Sequence, residues 1–154
     1  MSKPSADSTE LKLTDSMQLA INSAFGSGKP LAIAYVDEHD APQLSFRGST
    51  QVFGDRALAI WVRNPEGRIL PSIARNPAVA LIYGDFNPTG RRFLIMRGRA
   101  RVDGSNAVRQ QVYNSAHEFE RSQDKDQKGV ALIIELDSVE GFFDGVRHMM
   151  RRRS

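Results

Sequence analysis

Apolar positions along the chain follow two rhythms. From Thr14 to Phe25 they fall at helical spacing, with Met17, Ala20, Ile21, Ala24 and Phe25 on one side. Thr14 or Asp15 can cap this predicted helix, and Gly26 stops it. Short runs then dominate. Leu31–Val36 reads as a buried strand, residues 37–42 as a turn, and residues 43–53 ("QLSFRGSTQVF") as a second strand. Gly54-Asp55 marks a tight bend before a third strand, Ala57–Val62. Residues 78–84 ("AVALIYG") form the fourth strand, and residues 87–90 ("NPTG") the turn after it. Residues 91–102 form a long fifth strand. A second helix spans residues 105–122, capped by Ser105, with Val108, Val112 and Phe119 on its apolar side. Residues 123–129 are a charged loop, and Val130–Phe143 is a sixth strand with its continuation.

Short turns join most of these strands, so the pairing is largely antiparallel. A parallel α/β fold needs a helix between most strands, and hairpins prevail here. The expected class is mainly β with peripheral helices, a six-stranded antiparallel barrel, closed or nearly so, that removes exposed edges. One domain over residues 11–147 is expected, between a disordered N-terminal tail (1–10) and a basic C-terminal tail (148–154).

Composition narrows the chemistry. The 154 residues contain no cysteine, which excludes disulfides, thiolate catalysis and Cys-based metal centres. No apolar run approaches the roughly 20 residues of a membrane helix, and "MSKPSADSTE" carries no signal-like apolar segment, so a cytoplasmic location without membrane association is expected. The net charge of +3 equals the contribution of Arg151, Arg152 and Arg153. Arg97, Arg99 and Arg101 alternate onto one strand face, which with that tail is the motive for a nucleic-acid reading. No aromatic interleaves with them, and nucleic acid is not expected as a partner.

His39, His117 and His148 have no metal-ligand spacing, and no G-x-S-x-G elbow exists. "GSGK" (26–29) follows a helix where a phosphate loop precedes one, and Pro30 replaces the Ser/Thr. Asp137, Glu140 and Asp144 lack calcium-loop spacing and read as a solvated strand end. The arginines of "FRGST" and "VRNPEGR" are a stronger signal. A hairpin brings Arg47 and Arg63 near each other, so Arg47, Ser49, Thr50, Arg63 and Arg68 can converge on one anion. A following helix N-terminus adds backbone donors. The competing reading is that these arginines are surface charges.

With "FRGSTQVFGDRALAIWV", "WVRNPEGRILPSIARNPAVAL" and "RRFLIMRGRARV", the chain resembles the pyridoxamine 5′-phosphate oxidase-like, FMN-binding split-barrel family from about Leu31 to Val102. The resemblance implies a flavin-dependent oxidoreductase that transfers a hydride between FMN and a small organic substrate. It also implies a homodimer with the cofactor at the subunit interface. Carried across, Arg47 takes the place of the first flavin-contacting arginine, and Gly48, Ser49 and Thr50 follow on the same strand. Val62 and Arg63 stand where backbone and hydroxyl meet the flavin, and Arg68 stands for the phosphate-binding arginine. Arg91 or Arg92 falls where a partner-subunit residue contacts the ring. Val52 and Ile69 replace two lysines of the pattern, which fits a relative that holds a deazaflavin or haem, or serves as a non-catalytic sensor. The C-terminal Arg-x-His of the oxidase itself is absent, so pyridoxamine phosphate is not the expected substrate.

Overall fold

The computed structural model describes residues 8–153. Its elements in chain order are β1 (Thr9–Glu10), α1 (Asp15–Ser23), β2 (Ala32–Val36), β3 (Pro42–Phe46), β4 (Gln51–Val52), β5 (Ala57–Val62), α2 (Ile69–Arg75), β6 (Ala78–Asp85), β7 (Arg92–Asp103), α3 (Asn106–Ser115), α4 (Glu118–Ser122), β8 (Val130–Phe143) and β9 (Val146–Arg151). The strands form one nine-stranded sheet in the order β1-β9-β8-β7-β6-β2-β3, with β5 branching from β8 and carrying β4. Every pairing is antiparallel except β1 with β9. The sheet is open, as in a split barrel.

The split comes from β8. Its first half pairs with β5 (Val130↔Val62 to Glu135↔Ala57) and its second half with β9 (Ser138↔Arg151 to Phe143↔Val146), while β7 runs along its other edge. Strand β5 is buried along its whole length because both faces are covered. Leu58, Ile60 and Val62 enter the main core with Leu132, Ile134 and Leu136. Ala59 and Trp61 point the other way, into a smaller cluster with Val112 and Tyr113 of α3 and with Ala131 and Ile133.

The expected six strands become nine for three reasons. "QLSFRGSTQVF" divides into β3 and β4 because the chain leaves the ladder at Arg47–Thr50. Asp144 (φ 54°) and Gly145 (φ 76°) form a positive-φ hairpin turn that returns the chain as β9. Thr9–Glu10 then adds to β9 as β1. Residues 9–10 and 148–151 are therefore held in the sheet, where tails were expected; residues 1–7 and Ser154 lie outside the described residues. The second long helix also divides, at Ala116-His117, where both residues are extended; His117 Nδ1 accepts from Phe119 N (3.1 Å) and caps α4.

The terminal arginines pack against the structure. Arg152 Nε donates to Leu136 O (2.9 Å) and its Nη2 to Glu135 (3.3 Å), while Arg153 donates to Ser8 O. The stripe on β7 is also compensated. Arg97 pairs with Glu140, Arg99 with Asp137 (2.8 Å), and Arg101 with Asp103 and Glu135 (3.4 Å each). The carboxylates read as a solvated strand end are the ion partners of this stripe, and Asp144 accepts from Ser16. Among the described residues, no helix is long and apolar enough to cross a membrane.

Candidate functional site

An open cleft of about 800 Å³ lies between the Arg47–Thr50 turn, the end of β5 with the loop that follows it, and α4. The turn is built by its own hydroxyls. Thr50 donates from Oγ1 (2.7 Å) and N (3.2 Å) to Arg47 O, which closes the bend just after Arg47 N donates to Leu31 O (2.9 Å), next to the start of β2. Ser49 Oγ accepts from Trp61 N (2.9 Å) and donates to Trp61 O (3.0 Å). Gly48 sits where an added Cβ would lie 2.7 Å from the Phe25 ring and 2.9 Å from Glu120 Oε2, so a larger residue would push those two side chains away from the turn. Phe25 stacks on Phe119 of α4 (5.9 Å) and meets His117 edge-on (5.0 Å).

The structure thus brings Arg47, Gly48, Ser49 and Arg63 to one cleft wall. Ser49 and Thr50 hold the frame of that wall: both are buried, and their hydroxyls are committed to backbone. Val62 lies in the core with its side chain away from the cleft. Arg68 is exposed at the start of α2 and does not line the cleft; its carbonyl accepts from Ser72 Oγ (2.8 Å). Pro71 falls in the first turn of α2. Arg91 and Arg92 line a separate depression of about 680 Å³ with Asp85, Asn87 and Asp144. The Arg92 guanidinium lies over the Phe143 ring (4.7 Å) and 3.9 Å from Asp85.

The cleft lining carries three cations, Arg47, Arg63 and Lys128, and two carboxylates, Glu66 and Glu120. Burial pushes the Arg47 guanidinium below its ordinary value; attraction from Tyr35 and Glu120 opposes this, while Arg63 repels it. Arginine stays protonated regardless, so the cost is borne as two cations held near each other. Nε of Arg47 donates to Ser45 Oγ (3.1 Å). Neither Arg47 nor Arg63 forms an ion pair among the described residues, whereas the β7 arginines all do.

Sequence reasoning missed several lining residues. Trp61 forms the floor and is held from behind: its Nε1 donates to Asp124 Oδ2 (2.9 Å), and its ring meets Tyr113 edge-on (5.2 Å). Asn64 comes from the loop after β5, Glu120 and Gln123 from the α4 region, and Lys128 from what read only as a charged loop. No local pattern announces these residues. They arrive because α3 docks on the outer face of β5 and carries α4 and its loop to the cleft mouth.

No protein-family model matches the chain. No curated protein matches it in sequence. Solved structures do match in three dimensions. HupZ of Group A Streptococcus superposes with a TM-score of 0.64 at 18% identity, covering 88% of this chain and 98% of that one. A Clostridium acetobutylicum protein related to general stress protein 26, of the pyridoxinephosphate oxidase family, gives 0.63 at 13%, covering 90% and 96%. An FMN-binding protein from Syntrophomonas wolfei gives 0.62 at 6%, covering 80% and 84%. This chain has the fold of the pyridoxamine 5′-phosphate oxidase-like split barrels. At these identities the likeness is one of backbone. Within the split barrel, Arg47 and Arg63 stand at the mouth created where β4 leaves the main sheet path and follows β5.

Proposed function

We propose that this split barrel binds FMN in the Arg47–Arg63 cleft and acts, as a homodimer, as a flavin-dependent oxidoreductase on a small organic substrate. The observation that carries the reading is the pair of guanidinium groups, neither in a salt bridge among the described residues, in a cleft that Trp61 also lines. A volume of about 800 Å³ lies within the range of cofactor sites, roughly 300–1,000 Å³. The donor set suits a phosphorylated aromatic ligand: forks for phosphate from Arg47 and Arg63, and amides from Asn64 and Gln123 for ring or ribityl oxygens. Arg68, exposed at the start of α2 and without an ion partner among the described residues, is proposed to add a third fork. When bound, the flavin itself supplies the hydride chemistry. The chain's part is to grip the phosphate, fix the ring against the wall and restrict water, which needs no acid or base side chain.

The dimer reading rests on an apolar row outside the core. Phe46, Ala32, Ile82 and Ile95 lie in register across β3, β2, β6 and β7, with Leu44 beside them. Phe46 and Leu44 are 74% and 76% exposed, and Phe46 also lines the cleft. A second copy seated there covers an edge strand and supplies the cleft's outer wall. Arg91 and Arg92 are proposed to reach the ring across this interface.

The test is the visible absorption of the purified protein and a titration of any colourless fraction with FMN. Flavin bands that are released on denaturation support the reading. Colourless protein whose Trp61 emission is unchanged by FMN overturns it. A second reading, a non-catalytic flavin, deazaflavin or haem binder on the same barrel, is favoured by one observation. Ile69 is fully buried and Val52 packs against the core, so neither position supplies a cation. Steady oxidation of NADH or NADPH with FMN present argues against that second reading.

A further inference from the structure

We infer that Lys128 is the cation that makes this cleft selective for a phosphorylated ligand, and that Asp124 is its positioning residue. The inference rests on the phosphate-binding reading above and assigns the specificity of that same site. The two strand and helix positions at which a lysine was expected, Val52 and Ile69, face the core. Lys128 lines the same cleft as Arg47 and Arg63, carried there by the loop before β8. It is exposed, and its ammonium has no ion partner within salt-bridge distance among the described residues.

What distinguishes Lys128 from an ordinary surface lysine is the backbone that carries it. Asp124 is buried, and both of its oxygens are used: Oδ1 accepts from Lys128 N (2.9 Å), and Oδ2 accepts from Gly129 N (2.9 Å) and Trp61 Nε1 (2.9 Å). Arg109 Nη2 donates to Gln127 O (2.8 Å) and Gly129 O (3.0 Å), and its guanidinium lies 5.4 Å from the Trp61 ring centre. Gln127 is held at φ 52°, in the left-handed region. Gly129 admits no side chain, since an added Cβ would lie 2.4 Å from Val62 O. The backbone is therefore fixed on both sides of Lys128 and is tied through Trp61 to the cleft floor. The backbone share of the ordering cost is thus met by the fold before any ligand arrives, and the side-chain share arises on binding. A point charge on a fixed base suits a phosphate dianion, and it contributes nothing to the uncharged ring.

The experiment compares FMN with riboflavin, which differ only in the phosphate. Trp61 is the single tryptophan in the chain, so its emission reports occupancy of this cleft. Lys128→Ala is expected to weaken FMN binding about tenfold, the loss of one charge-assisted contact. Riboflavin affinity is expected to stay within about twofold, and Lys128→Arg to restore most of the preference. Equal losses for both ligands, or no loss for FMN, overturn the inference while an impaired Arg47→Ala variant leaves the FMN reading standing. Wild-type protein that binds neither flavin overturns both. Asp124→Asn, checked by circular dichroism for retained fold, is expected to lower the FMN preference in wild type and to add nothing in the Lys128→Ala background. Additive losses overturn the positioning role.

Discussion

Ser49 Oγ both accepts from Trp61 N and donates to Trp61 O, so one hydroxyl stands in for a strand partner. The β4–β5 register, Gln51↔Ala59 and Val52↔Leu58, places Ser49 opposite Trp61 two residues further on, where the backbone has already turned away. Ser49→Ala leaves two buried backbone groups unpaired. The expected cost is about 2–3 kcal/mol, or a Tm drop of roughly 4–12 °C, read by thermal unfolding.

Asp124 gives stability an acid limit. Burial alone pushes its carboxyl up, but hydrogen bonds from Lys128 N, Trp61 Nε1 and Gly129 N, with attraction from the Lys128 ammonium, together hold it below its ordinary value. A carboxyl depressed in the folded state stabilises above its unfolded pKa of about 3.9, and that contribution is lost as pH falls through the lower folded value. Urea midpoints are expected to show no contribution from this group's titration between pH 5 and pH 8 and to decline below about pH 4. The decline should be shallower in Asp124→Asn.

The cleft arginines should rank by position. Arg47→Ala and Arg63→Ala are each expected to lower FMN affinity at least about tenfold, with a smaller effect on riboflavin. Arg68→Ala, outside the cleft lining, should cost less than either. Fluorescence titration at fixed ionic strength gives the order, and an effect of Arg68 larger than that of Arg47 contradicts the placement of the phosphate.

The outer apolar row should control assembly. Ile82 lies on that face at 41% exposure and does not line the cleft. Ile82→Glu is expected to shift the protein to a monomer in analytical ultracentrifugation and to weaken FMN binding through loss of the second wall. A variant that stays dimeric places the interface elsewhere.

The β7 stripe should not bind nucleic acid appreciably. Its three arginines each meet a carboxylate, so little net field remains for counterion release. A gel shift at physiological salt is expected to show no complex, and one that is abolished by Arg99→Ala would contradict this.

Much of the fold was legible. Apolar runs at Ala57–Val62 and at the start of Val130–Phe143 announced strands, and alternation along residues 92–101 placed three arginines outside. The Asp144-Gly145 pair was a readable hairpin signal that went unused, and with it β9 was taken for a tail. The break within residues 43–53 was harder to see, since nothing in "FRGST" says that two hydroxyls will bond backbone instead of ligand.

The sequence by itself determined the main strands, the first helix, the antiparallel class and the presence of Arg47 and Arg63 near one hairpin, because periodicity and turn chemistry act over a few residues. Tertiary structure alone decided which charges remained available. Arg97, Arg99 and Arg101 were neutralised by a strand some 40 residues away, while Lys128 was carried to the cleft by a buried carboxylate bonded to Trp61. Pairing between charges depends on distances in space, and only the folded chain sets those.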